Sequence, residues 1–128
     1  MKLLLDTHVL LWALADCELL SRKARQIIAD ENNDCLYSPV SLVEISIKHG
    51  KHPEDMPLSA EDARAAFLAA GYRELPFSSG HAAAMDGLEP LHSDPFDRML
   101  IAQARAESCT LLSHDDKVAK YGDIVMYV

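Results

Sequence analysis

Four carboxylates occupy positions where an acid is costly unless it has work to do. Asp6 ends the apolar run Leu3-Leu4-Leu5, and Asp115 ends Thr110-Leu111-Leu112-Ser113-His114. Glu44 sits between Val43 and Ile45, and Asp97 follows the pair Asp94-Pro95 by two residues. Each alone has an ordinary use: Asp6 as a helix cap, Asp97 as a helix-dipole partner, Asp115 as a turn residue. Glu44 is harder to accommodate, because a glutamate among apolar neighbours needs a partner if it is buried. Brought together, the four acids have one natural chemistry. Two unit charges ~4 Å apart repel by about 4 kcal/mol at an effective dielectric near 20. Such a group must take up protons or hold a hard divalent cation with oxygen ligands. Mg²⁺ bound by one or two carboxylates keeps positions open for a phosphate, and one or two such ions activate water for phosphodiester cleavage.

Convergence depends on the elements that carry the acids. Residues 2–5 read as a short buried strand, followed directly by an apolar helix over 8–15. Ser21 caps a helix running to about Asp30, with Ala24, Ile27 and Ile28 at helical spacing. Cys35-Leu36-Tyr37 is a second strand. Ser38-Pro39 and Asp94-Pro95 are each a cap followed by proline at the first helical position. The first opens a helix that holds Val40, Val43, Glu44 and Ile47 on neighbouring rows and ends at Gly50, and the second a helix that ends near residue 107. Residues 51–58 are a loop with two prolines, and Ser59 with Asp62 resembles a capping box ahead of a helix that stops at Gly71. Leu75-Pro76-Phe77 leads into a short helix over 79–86. Residues 110–113 form a strand, 116–121 a turn or short helix, and 124–128 a closing strand.

Strands of nearly unbroken apolar sequence alternating with helices predict an α/β fold, a three-layer sandwich with a central, mainly parallel sheet and helices on both faces. Ligands of such sheets bind outside the carboxyl ends of the strands. Asp6 and Asp115 stand at strand ends. Asp97 lies in the first turn, and Glu44 in the second, of helices that begin at that same edge. The pattern therefore directs all four to one place.

Composition bounds the rest. The 128 residues are 49% apolar and 25% charged, an ordinary globular balance that predicts one domain over 1–128. Twelve Lys and Arg against twenty Asp and Glu leave a net charge of −8. That excludes a general nucleic-acid coat, which needs a basic surface, but suits a site that gathers cations. Cys17, Cys35 and Cys109 are odd in number and far apart, so neither a zinc ribbon nor a disulfide framework is expected. A reducing cytoplasm is the expected compartment. Asp6 and His8 interrupt the apolar N-terminus, leaving a longest run of seven residues, too short to span a bilayer.

Four stretches carry a resemblance. Leu3-Leu4-Leu5-Asp6-Thr7-His8-Val9-Leu10-Leu11-Trp12 resembles the opening of PIN-domain ribonucleases, and Ser38-Pro39-Val40-Ser41-Leu42-Val43-Glu44-Ile45 their second acidic motif. Asp94-Pro95-Phe96-Asp97-Arg98-Met99-Leu100-Ile101-Ala102-Gln103-Ala104 resembles the third, and Leu111-Leu112-Ser113-His114-Asp115 the fourth. Order, intervals and length fit over essentially the whole chain, and the nearest subgroup is the VapC-type toxins of toxin–antitoxin modules. The resemblance implies a Mg²⁺-dependent endoribonuclease, with Mn²⁺ a possible substitute, an RNA substrate, a cognate antitoxin and a homodimer. It implies Asp6 and Asp97 as the principal metal ligands. Glu44 and Asp115 would complete the pocket by orienting the attacking water or a second ion. Thr7 and Ser113 would hydrogen-bond the carboxylates. Asp94 competes with Asp97, and Asp116 with Asp115, for a place in the pocket.

The remaining charged and aromatic residues have plainer uses. Lys48, His49, Lys51 and His52 offset a helix C-terminal dipole or contact RNA phosphate. Arg98 pairs with Asp94 or holds a phosphate, Arg22, Lys23 and Arg25 form a solvated helix face, and Trp12 joins Leu10, Leu11 and Leu14 in the core. The histidines are scattered without a third ligand, which disfavours zinc. Among competing classes, a dehalogenase-type phosphatase wants a second aspartate at position 8, where His8 stands. A receiver domain wants a phosphoacceptor after a central strand, where Tyr37-Ser38 stands. A binding module without catalysis leaves the four acids unexplained.

Overall fold

The computed structural model describes all 128 residues. Three consecutive leucines build the first strand, β1 (Lys2–Leu5), and none of the three is exposed. Their side chains alternate between faces. Leu3 and Leu5 pack with Val9, Leu10, Ala24, Ala63 and Phe67 on one side of the sheet. Leu4 packs with Leu100, Ile101, Ala104 and Leu111 on the other. A strand apolar on both faces must be covered on both, as parallel strands are.

Around β1 lie β2 (Asp34–Tyr37), β3 (Arg73–Glu74), β4 (Thr110–Ser113) and β5 (Val125–Tyr127). The five strands run in the order β3-β2-β1-β4-β5, every pairing parallel. Helices α1 (Thr7–Leu14), α2 (Arg22–Ala29), α3 (Pro39–Lys51) and α4 (Ala60–Ala69) supply most of one layer. Helices α5 (Ser79–Ala83), α6 (Pro95–Glu107) and α7 (Asp116–Ala119) follow, with α6 and α7 over the opposite face. The expected three-layer α/β sandwich is therefore what forms. No helix is long and apolar enough to cross a membrane.

Several local expectations shift. Helix α3 runs one residue past Gly50, and the helix expected over 79–86 is α5 followed by a 3-10 turn at Ala84–Gly87. Ser59 Oγ accepts from the Asp62 amide at 3.1 Å, so it caps α4. The full reciprocal capping box occurs instead at Ser78 and His81. Trp12, Leu11 and Leu14 are only half-buried, and Leu10 alone of that group lies in the core. Val43 and Ile47, on neighbouring rows to Glu44, are exposed. Arg25 leaves the solvated face to bind Asp16 and the Cys17 and Leu20 carbonyls.

The chain runs outward from β1 through β2 to β3, then crosses back to add β4 and β5 on the other side. The β1–β4 junction is thus where the winding reverses, and a crevice opens there at the carboxyl edge. The Asp6 amide donates to the Leu112 carbonyl at 3.1 Å and ties the two strands together at that edge.

Candidate active site

Asp6 leaves β1 as the N-cap of α1, its Oδ1 accepting from the Val9 amide at 2.9 Å. Its other oxygen, Oδ2, accepts from the Ser113 hydroxyl at 2.5 Å, and the side chain is almost wholly buried. Ser113 also accepts from the Asp115 amide at 3.1 Å, so one hydroxyl links the two strand-end acids. Ser113 thus meets its expected contact. Thr7 does not: its hydroxyl donates to Ser41 Oγ at 2.9 Å and joins α1 to α3.

Within each competing pair of acids the two carboxylates have different surroundings. Asp94 is the N-cap of α6, its Oδ1 accepting from the Phe96 and Asp97 amides at 2.9 and 3.0 Å. Asp97, in the first turn, turns its carboxylate elsewhere. Asp115 caps α7 and stays half-buried, whereas Asp116 is exposed. The Tyr127 phenol is held up by desolvation and then by the nearby Asp116 and Asp115 charges.

His92 is the member the sequence reading missed. Its Nε2 lies 2.8 Å from Asp97 Oδ2, and its side chain is nearly buried. Ligand atoms of His92, Asp97 and Asp115 all lie within 4.8 Å of one another. Its only sequence signal was proximity to the Asp94-Pro95-Phe96-Asp97 cap, five residues ahead of Asp97 in a segment without periodicity.

Electrostatics mark the same group. Burial pushes the Asp97 carboxyl up to about 6, against the His92 hydrogen bond and with the Asp94 and Asp6 charges adding to the rise. Burial also raises Asp6, opposed by its Ser113 and Val9 hydrogen bonds and reinforced by the Asp115 charge. Asp6, Asp97 and Asp115 thus feel one another through space. At 4.8 Å, two unit charges repel by about 3.5 kcal/mol at an effective dielectric of 20.

Glu44 differs from this trio in having a cation of its own. It is buried, and its Oε2 accepts from Lys48 Nζ at 2.6 Å across one helical turn. Its Oε1, fully buried, has no hydrogen-bond partner. Lys48 thus neutralises Glu44, and His49 Nδ1 meets the Met56 carbonyl at 2.7 Å, so both have uses inside the fold. Arg98 makes no ion pair with Asp94: its guanidinium donates to the Glu89 and His92 carbonyls at 3.0 and 3.2 Å and to the Tyr121 hydroxyl. It fastens the loop that carries His92.

Donor chemistry suits a hard divalent cation. Two carboxylates and an imidazole lie within reach of one another, and burial already holds one of those carboxyls, Asp97, above its ordinary value. His92, Ser93, Arg98, Lys117 and Lys120 line a neighbouring cavity of about 430 Å³, so positive charge borders the acids on one side.

The PIN-domain family model matches residues 3–124. Similar solved structures include VapBC2 from Rickettsia felis bound to a DNA fragment from its promoter, at 18% identity and TM-score 0.72, covering 100% of this chain and 98% of that one. A toxin–antitoxin complex from Klebsiella pneumoniae is 16% identical at TM-score 0.65, covering 96% and 94%. VapBC-5 from Mycobacterium tuberculosis is 17% identical at TM-score 0.58, covering 99% and 97%. A search of curated proteins finds no match.

Proposed function

The chain belongs to the PIN-domain family, and on that premise we propose that it is a divalent-metal-dependent endoribonuclease, the toxin of a toxin–antitoxin pair. One observation carries the reading: Asp97 and Asp115 offer ligand atoms within 4.8 Å of each other, Asp6 lines one cavity with Asp115, and burial raises the Asp6 and Asp97 carboxyls. Asp6 and Asp97 are assigned as the principal ligands of Mg²⁺, or Mn²⁺ in its place, with Asp115 beside them and Glu44 contributing its unpaired oxygen. The ion, when bound, supplies activation of water and stabilisation of the leaving oxygen. Ser113 and His92 hold the Asp6 and Asp97 carboxylates in place, as hydrogen-bond partners of metal ligands do. Lys117 and Lys120 receive the RNA backbone next to the acids.

The partners follow from surfaces. An apolar groove of about 490 Å³ lined by Leu11, Trp12, Leu14, Met56 and Leu58 suits the antitoxin, and the Klebsiella pneumoniae neighbour is itself a toxin–antitoxin complex. Exposed Val43 beside Phe77, Phe96 and Met99 offers a second apolar face, for a homodimer. Three free cysteines, two of them buried, fit a reducing cytoplasm. The test is cleavage of total cellular RNA with Mg²⁺, with chelator, and by Asp6→Asn and Asp97→Asn proteins. Chelator and either substitution should each reduce cleavage by more than about 100-fold, beyond what loss of a hydrogen-bond partner to a ligand costs. Full cleavage by both variants would end the nuclease assignment.

A further inference from the structure

The acid crevice has an aromatic flank that hydrolysis alone does not use. His8 and Trp12, one turn apart on α1, stack with ring centroids 5.8 Å apart and planes 25° from parallel. Trp12 meets His114 edge-on at 5.6 Å, and His114 stacks on Tyr127 of β5 at 5.2 Å and 27°. Four rings from α1, the end of β4 and β5 thereby form one row. The row shares a cavity with the chemistry: Asp6 and Asp115 line the same space of about 230 Å³ as His8, Trp12 and His114.

These rings are not core. His8 and His114 are exposed, Tyr127 is 42% exposed, and Trp12, the chain's one tryptophan, is half-buried. An imidazole at each exposed site gains little from packing alone. Flat, partly wet rings beside a phosphodiester site have a fitting ligand in an unpaired nucleobase, which stacks on Trp, Tyr and His faces. Bases within a duplex are already stacked on one another and leave no face to offer. Resting on the nuclease reading above, we propose that the His8–Trp12–His114–Tyr127 row is a stacking platform for an unpaired base next to the scissile phosphate.

The lone Trp12 is also the reporter. A 2′-O-methyl hexanucleotide, the same hexanucleotide with abasic residues, and its duplex are titrated against the protein in chelator at low salt, following Trp12 emission. The abasic strand carries the same phosphate charge, so the difference isolates the bases. The base-bearing single strand should quench Trp12 and bind roughly tenfold or more tighter than the other two, and His114→Ala or Tyr127→Ala should each weaken it roughly tenfold. Tyr127→Phe, which keeps the ring, should bind as the parent does. Equal binding of the abasic strand, absent quenching, or unchanged affinity in both alanine variants would overturn the platform. Cleavage of total RNA with Mg²⁺, measured in parallel, separates the two readings. Intact cleavage without base-dependent binding removes the platform alone, and base-dependent binding without cleavage keeps the platform and removes the nuclease.

Discussion

Glu44 and the strand-edge aspartates solve the same problem, a carboxylate withdrawn from water, in different ways. On α3, Glu44 brings its own counter-ion: Lys48 lies one turn on, its Nζ 2.6 Å away. The pair is local, encoded by spacing within a single helix. At the β1–β4 crevice, Asp6, Asp97 and Asp115 come from three separate elements, and the groups around them are a serine hydroxyl, backbone amides and one imidazole. No lysine or arginine forms a salt bridge with them. The contrast shows which carboxylates the fold neutralises and which it leaves in want of a cation. The second kind is where chemistry is expected.

Asp97→Asn breaks the contrast most strongly. Its carboxyl is raised to about 6 in the folded protein, above the ordinary value of 3.8. The folded state therefore binds the proton more tightly than the unfolded one. Its contribution to stability is present below about pH 4 and is lost as pH rises through about 6. In chelator above that pH, Asp97→Asn should be more stable than the parent by up to about 3 kcal/mol, at 1.36 kcal/mol per pKa unit. Denaturant melts from pH 4 to 8 should show a flattened profile, and Mg²⁺ should stabilise the parent far more than the variant. Profiles that superimpose would mean that Asp97 is not strained by its surroundings.

Lys48→Met tests the opposite side. It strands Glu44 without its partner, and the expected cost is about 2 kcal/mol, the penalty of an unsatisfied buried group moderated by Lys48's partly wet position. This loss should persist in Mg²⁺, unlike the strain at the crevice. A loss fully recovered by Mg²⁺ would mean that the ion, and not Lys48, supplies Glu44's counter-charge. Ser113→Ala has the smallest expected effect, about 1 kcal/mol of stability. It should also raise Asp6 further, because the Ser113 hydrogen bond opposes that rise. NMR titration of the Asp6 carboxyl in chelator reads the shift, and an unmoved midpoint would show that Ser113 does not hold the charged form.

Much of this was legible in the chain because the signals are local. Cap-plus-proline pairs at Ser38-Pro39 and Asp94-Pro95 start α3 and α6 where expected, and the leucine runs form β1 and β4. Strand β3 was not legible. Its two residues, Arg73 and Glu74, are charged and exposed, and they become a strand only because Leu36 and Tyr37 offer a parallel edge. Val43 and Ile47 look like core by spacing, yet no element covers them.

Residue types and intervals determined which acids would stand at strand ends and helix starts, since capping, proline placement and apolar runs act within a few residues. Only the folded sheet decided that Asp94 caps while Asp97 turns inward, and that His92 closes on Asp97. Those outcomes depend on distances between segments far apart along the chain. Such distances are set when parallel strands register and their carboxyl edge gathers what each connection carries.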